Sequence, residues 1–440
     1  MTDVTFALDA AFDRPLFWEQ GGSVRYLVAR LSARRAEADR ARERAPLNIA
    51  LVIDASGSMS GGKLEAAKAA AIGLAERLTE RDRLTVVSFA SDVRVHLDAV
   101  EVTAANLAVI RREIGLLGTR GMTDLSGGWF AGVECAASMA EAEPALTPRV
   151  IILSDGHANE GITDPAELCE HAGELRLRGV LTSCLGIGDG YDEQLLRSIA
   201  ENGGGRLHDA ELTSEISAVL LGELDDIFGT VVEDASIALT IPPGFDVEAL
   251  GIGSVRRKGD RLVVNLGPVQ HGVPRALVLK LVCPPLRAGS MIDFTLQASG
   301  RLIDNGISLE TAPVVARLTA AEGSANSRQP RDLALAEVVA RQWSASIVAT
   351  AARLNRDRAF DEAEAWIEGQ LRHFRRYVEG LACGHAMIGE IELLARRVGR
   401  ELSSRMHKEM VLRTSLEIAA RVDRRGTAKD TWAERLRRGD

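Results

Sequence analysis

Directly after an apolar stretch, the run Leu51-Val52-Ile53-Asp54-Ala55-Ser56-Gly57-Ser58-Met59-Ser60 sets one carboxylate and two hydroxyls at alternate positions. On a loop that follows a buried strand, Asp54, Ser56 and Ser58 can turn three hard oxygens toward one point, as an octahedral Mg²⁺ or Mn²⁺ requires. Gly57 lets the backbone bend tightly between the two serines. One carboxylate does not balance a dication, so further ligands are expected at the ends of neighbouring strands. Thr123 stands in Gly121-Met122-Thr123-Asp124-Leu125-Ser126-Gly127-Gly128, a glycine-rich loop that opens a helix. Asp155 closes Arg149-Val150-Ile151-Ile152-Leu153-Ser154-Asp155, whose apolar run reads as a second buried strand. The bland alternative is that Ser56 and Ser58 only cap the following helix.

Gly57-Ser58-Met59-Ser60-Gly61-Gly62-Lys63 also matches the opening of a phosphate-binding P-loop, between a strand and a helix as that motif requires. The next position decides against it. A P-loop needs Ser or Thr there to hold Mg²⁺, whereas Leu64 starts the apolar stripe Leu64, Ala67, Ala71, Leu74, Leu78 that packs a helix on a sheet.

These residues need a scaffold that brings them together. Between residues 46 and 230 strands and helices alternate, the pattern of a doubly wound, mostly parallel α/β sheet. Strands are expected at Leu47 to Ile53, Leu84 to Phe89, Val150 to Leu153 and Val180 to Leu185, with Val93 to Leu97 as an antiparallel edge. Helices are expected at Lys63 to Glu80, Asn106 to Leu117, Leu125 to Glu141, Pro165 to Arg178 and Glu193 to Glu201. Asp54 and Asp155 then follow strands and Thr123 precedes a helix, so all converge on the carboxyl edge of the sheet, where open α/β folds bind ligands.

An aspartate and two serines, then a threonine, then an aspartate, each on a loop at that edge, resembles the metal-ion-dependent adhesion site of von Willebrand factor type A domains. The resemblance covers residues 46 to 230 and is of the cytosolic bacterial type. It implies a cation held by Asp54, Ser56, Ser58, Thr123 and Asp155 and completed by an acidic side chain of a partner protein. It further implies movement of the last helix, 211 to 228, between open and closed forms. Similar bacterial proteins accompany MoxR-type AAA+ ATPases or kinase and phosphatase systems, which makes those the partners the resemblance suggests.

Composition narrows the classes. With 46% hydrophobic residues among 440, the chain can bury more than one core. Aromatic content of 4% and a net charge of −9 disfavour a nucleic-acid surface. The first residues, Met1 to Asp9, lack a basic and apolar leader, and no apolar run reaches membrane-spanning length. Cys135, Cys169, Cys184, Cys283 and Cys383 are five widely spaced residues without a CxxC, as expected of free thiols in a reducing cytoplasm.

The flanks follow a different pattern. Alternation at Val4, Phe6, Leu8 and at Val24, Tyr26, Val28 returns between 231 and 320, at Ile237, Leu239, Ile241, at Leu262, Val264, Leu266 and at Leu277, Leu279, Leu281. Period two with intervening turns means an antiparallel β-sandwich, and two or three strands alone are marginal, so residues 1–45 are expected to complete it through a charged connector, 34–44. Residues 320–330 are small and polar, a linker by composition. Residues 331–425 are expected to be helical, at Leu333 to Arg353, Phe360 to Leu381 and Ala386 to Arg421, with Trp343, Trp366, Phe374 and Tyr377 filling a hairpin core. Residues 426–440 are expected to form a weakly ordered tail carrying Trp432 and Leu436.

No constellation for covalent or hydrolytic catalysis stands out: there is no HExxH and no GxSxG. Cys383-Gly384-His385 reads as core, and His157 as a solvated loop residue that could reach the rim of the metal site. Binding rather than turnover is therefore expected of the site. The alternative is a metal-dependent hydrolase, a phosphatase or nuclease, using the cation as Lewis acid. It is disfavoured because only two carboxylates are in the set, whereas such chemistry often uses two metals. An exported adhesion protein is disfavoured by the cysteines and the leaderless start.

Overall fold

The computed structural model of the protein describes residues 4–36, 44–251, 255–303, 306–418 and 431–438. The connector residues 37–43, the end of the expected third helix at 419–421, and tail residues 426–430 and 439–440 lie outside the described residues.

The chain opens with three strands, β1 (Val4–Phe12), β2 (Leu16–Trp18) and β3 (Val24–Arg35), and then enters an α/β unit. That unit runs β4 (Leu47–Asp54), α1 (Lys63–Ala75), β5 (Arg83–Phe89), β6 (Val93–Glu101), α2 (Ala104–Gly115), α3 (Leu125–Ala142), β7 (Thr147–Ser154), α4 (Pro165–Leu177), β8 (Leu181–Ile187), α5 (Glu193–Asn202), β9 (Gly204–Ala210) and α6 (Ile216–Gly229). Its sheet has the order β6-β5-β4-β7-β8-β9, all parallel except the β6 edge. β4 is buried along its whole length, because helices cover both faces of the sheet. Ile49, Leu51 and Ile53 meet α1, α2 and α6 on one side. Ala50 and Val52 meet α3, α4 and α5 on the other.

β9 was not expected from the sequence. Its residues, Gly204-Gly205-Arg206-Leu207-His208-Asp209-Ala210, carry no apolar run, and as an edge strand most of them are only half buried. It pairs with β8 because the parallel neighbour supplies the ladder, not because its own side chains demand a strand. The helix expected from Glu211 instead begins at Ile216, after a single tight turn at Thr213–Glu215.

The chain continues through β10 (Thr230–Thr240), β11 (Asp246–Leu250), β12 (Val255–Lys258), β13 (Arg261–Gln270), β14 (Arg275–Val282), β15 (Met291–Leu302), β16 (Ser308–Glu310) and β17 (Val314–Ala321). Two sheets result, β1-β3-β14-β11 and β12-β13-β10-β15-β17-β2, with β16 paired to β15. Phe12, Leu27, Leu31, Ile237, Leu239, Leu279 and Phe294 fill the space between them. β3 lies antiparallel between β1 and β14, so the first strands are hydrogen-bonded into the same sandwich as the later ones. The α/β unit thus leaves the sandwich after β3 and rejoins it at β10. The buried pair Arg149–Glu233 and the bridge from Asp234 to Arg176 and Arg301 lock that junction.

Last come α7 (Gly323–Arg328), α8 (Leu333–Arg356), α9 (Phe360–Val378), α10 (Gly384–Ala395), α11 (Ser404–Ile418) and α12 (Trp432–Arg438). Three expectations are corrected. The polar stretch 320–330 is not a free linker: it finishes β17 and forms α7, tied to the sandwich by Arg25 on Asn326 and by Gln329 on the backbone of Leu16. The single helix expected from Ala386 is two. Glycine at 399 lets the chain between α10 and α11 press against Glu364, where a Cβ would lie 1.8 Å from a carboxylate oxygen, and Asn355 holds that segment through Val398, Arg400 and Leu402. Within the tail, the described residues 431–438 are ordered rather than frayed: Trp432 and Leu436 of α12 are buried against α10 and α11. Trp343, Phe374 and Tyr377 do form a core, but it includes Tyr26 of β3, so the helices are built onto the outer face of the sandwich.

Candidate metal centre

Asp54 is the last residue of β4 and Asp155 the first after β7, and these are adjacent parallel strands. After β4 the connections run to β5 on one side and, later, to β7 on the other, so the two carboxylates stand at the point where strand order reverses. Gly57 to Met59 forms a single tight turn that swings the two serines over the sheet edge. Thr123 reaches the same place because its loop is stitched to the first: Gly57 N–H donates to Gly121 O at 3.2 Å and Arg120 N–H to Ala55 O at 2.6 Å.

The five oxygen-bearing side chains chosen from the sequence come together here. Ser56 Oγ and Ser58 Oγ share a hydrogen bond at 2.9 Å, and Ser58 Oγ donates to Asp155 Oδ1 at 2.7 Å. A Cβ placed on Gly156 would lie 3.4 Å from Ser58 Oγ, 3.7 Å from Thr123 Oγ1 and 4.0 Å from Asp54 Oδ2. Glycine at 156 therefore leaves a small cradle bounded by oxygens from three separate loops. Asp54, Ser56, Thr123 and Asp155 are buried, while Ser58 and Gly57 are exposed and mark the mouth. Burial pushes the Asp54 carboxyl above the usual carboxylate range. Hydrogen bonds from Ser154 and Ser56 work against that rise, and neighbouring Asp155 adds to it. Two desolvated carboxylates beside three neutral hydroxyls are the donor set of a hard divalent cation, so the residues fit such an ion.

Three contributors went unrecognised in the sequence. Ser154 Oγ donates to Asp54 Oδ2 at 2.6 Å, leaving Asp54 Oδ1 to accept Ser56 N–H at 2.8 Å. Asn159 Oδ1 accepts Thr123 N–H at 2.9 Å, and its own N–H donates to Thr123 O at 3.1 Å. Lys63, weighed only as part of a P-loop pattern, forms an ion pair with Asp155 Oδ2, and Leu64 beside it is buried in the core. Ser154 and Asn159 lie within four residues of Asp155, and that proximity was the available signal.

Other candidates stand apart. His157 is 70% exposed at its side chain and lies 3.7 Å from Asp192. Cys383 packs on the helical core and His385 is exposed. The five cysteines are free. Among the described residues, no cluster of three or more His, Cys, Asp or Glu is placed to hold a metal. Among them, too, no helix is long and apolar enough to cross a membrane.

A parallel sheet with helices on both faces, carrying an acidic and hydroxyl-rich cluster at its switch point, defines an open α/β module with its candidate site at the carboxyl edge. Residues 48–219 match the family model of the von Willebrand factor type A domain, and this stretch of the chain is such a domain. The chain is 29% identical over 269 residues to the uncharacterized protein sll0103 of Synechocystis, covering 58% of this chain and 62% of that one. It is 30% identical over 225 residues to the uncharacterized protein YfbK of Escherichia coli, covering 50% of this chain and 38% of that one. It thus spans less than two thirds of either relative. The fold of a solved von Willebrand factor type A protein from Catenulispora acidiphila superposes with a TM-score of 0.67 at 18% identity, covering 89% of both chains. That likeness extends through the sandwich and the helices as well as the α/β unit.

Proposed function

We propose that the chain is a metal-dependent protein-binding module, acting in the cytoplasm, in which Asp54, Ser56, Ser58, Thr123 and Asp155 hold Mg²⁺ or Mn²⁺ and an Asp or Glu of a partner protein completes the coordination. The observation that carries this reading is the oxygen cradle at Gly156, bounded by Ser58, Thr123 and Asp54. Type A domains commonly mediate metal-dependent protein interactions, which supports the same conclusion. Hydroxyl ligands are neutral, so a cation held mostly by them stays electrophilic and favours an anionic last ligand. The mouth at Gly57 and Ser58 leaves room for a side chain from outside. Free cysteines support a reducing compartment. A MoxR-type AAA+ ATPase or a kinase and phosphatase system that offers an acidic side chain fits the requirement for such a partner.

The test is a pulldown with and without EDTA, run in parallel on the unmutated chain and on Asp54→Ala. Partners recovered only by the unmutated chain with metal present are expected. Recovery of the same partners in all four samples would overturn the reading.

A further inference from the structure

Lys63 is the first residue of α1, preceded by Gly61 and Gly62, both in the left-handed region at φ 72° and 95°. That turn starts the helix at the sheet edge, and helical side chains lean back toward the helix N-terminus, so Lys63 reaches over the loop that carries the serines. Its ammonium is ion-paired with Asp155 Oδ2 and lies 3.3 Å from Ser58 O. The Asp155 side chain is fully buried, whereas that of Lys63 keeps 31% of its exposure. Gly188, at φ 70°, brings the loop after β8 against the lysine: a Cβ there would lie 3.7 Å from Lys63 Cε and 3.9 Å from its Nζ. Lys63 thus occupies a fitted slot beside the carboxylate.

Both oxygens of Asp155 are committed within the chain, Oδ1 to the Ser58 hydroxyl and Oδ2 to Lys63. Asp54 and Asp155 together carry two negative charges, and Lys63 already neutralises one. A dication brought to the same oxygens meets a like charge at close range, where repulsion inside a half-buried site is far stronger than in water.

We infer that Lys63 is an internal counter-cation that holds Asp155 until a divalent cation displaces it, so that this lysine sets the metal concentration at which the centre loads. The inference rests on the metal-centre reading above. Metal entry moves the ammonium off Asp155 Oδ2 and toward solvent, which its partial exposure permits. Lys63 therefore weakens metal binding even though it stands among the residues that form the site.

The experiment is calorimetric titration of the full chain with Mn²⁺ alone, for the unmutated protein, Lys63→Met, Lys63→Arg and Asp54→Ala. Lys63→Met is expected to bind Mn²⁺ tighter by about fivefold, the scale of one partly exposed ion pair. Lys63→Arg keeps the charge and is expected not to tighten. Unchanged or weaker binding by Lys63→Met overturns the inference while leaving the metal centre standing. Absence of Mn²⁺ binding by the unmutated chain instead overturns the centre itself, and the inference with it. Displacement can also be read without any substitution: acylation of Lys63 by an amine-reactive reagent, followed by peptide mass spectrometry, should accelerate when Mn²⁺ is added. An unchanged rate counts against displacement.

Discussion

Ser154 Oγ donates a 2.6 Å hydrogen bond to Asp54 Oδ2 across the seam between β4 and β7. The last side chain of one strand thereby orients the last carboxylate of its neighbour. Groups that orient a ligating carboxylate typically contribute ten- to a hundredfold in metal affinity. Ser154→Ala should therefore weaken Mn²⁺ binding by roughly tenfold, while Asp54→Ala abolishes it, both by calorimetric titration. Equal affinity in Ser154→Ala and the unmutated chain would mean that Asp54 needs no such support.

Gly156 is the floor of the cradle, and a methyl there makes ordinary contacts with Ser58, Thr123 and Asp54 rather than clashes. Gly156→Val should leave the thermal midpoint within a few degrees but reduce Mn²⁺ affinity at least about tenfold, because its branches fill the space between the oxygens. A variant that binds metal normally would move the centre away from this point.

Arg405 of α11 joins the helical region to the α/β unit. It pairs with buried Asp209 of β9, lies 3.4 Å from Asp189 and is 3.9 Å from Glu211. Arg405→Met removes from buried Asp209 the guanidinium that contacts both of its carboxylate oxygens, while the Tyr191 hydroxyl still donates to Asp209 Oδ1. Loss of one partner of a buried pair costs about 3–5 kcal/mol, so the urea midpoint should fall markedly. Asp209→Asn in the same chain should restore part of it. A double variant no more stable than Arg405→Met would show that the charge on Asp209 is not the source of the loss.

His407 is buried on α11, with Nε2 placed to donate to Asn355 Oδ1 at 3.1 Å. Burial, reinforced by the charge of Arg356, pushes its pKa down to about 4 from the ordinary 6.5. Between those values the unfolded chain binds a proton that the folded chain does not, so this residue makes stability fall as pH drops from 6.5 toward 4. His407→Gln should flatten that part of the stability profile, read as urea midpoints across the window. An unchanged slope would assign it to other groups.

The pairing of Arg405 with Asp209 was not legible in the sequence, for the same reason as that of Ser154 with Asp54. Arg405 and Asp209 are 196 positions apart, and Ser154 and Asp54 are 100 apart. Neither pair has a periodicity or a motif to announce it. By contrast, the apolar runs of β4 and β7 and the alternation of β10, β13 and β15 are local patterns, and local patterns follow directly from burial on two faces or on one. Composition misled where a short polar segment gained its order from neighbours: α7 is held by Arg25 and Gln329, and β9 by the ladder of β8.

The sequence by itself determined the kind of sheet, the edge at which Asp54, Ser56, Ser58, Thr123 and Asp155 gather, and the break with the P-loop pattern at Leu64, because strand ends and helix starts place those oxygens whatever surrounds them. Only the tertiary structure decided what those oxygens touch. Lys63 lies 92 residues from Asp155 along the chain yet is its ion-pair partner, since the turn at Gly61 and Gly62 and the loop at Gly188 leave the ammonium a slot beside that carboxylate.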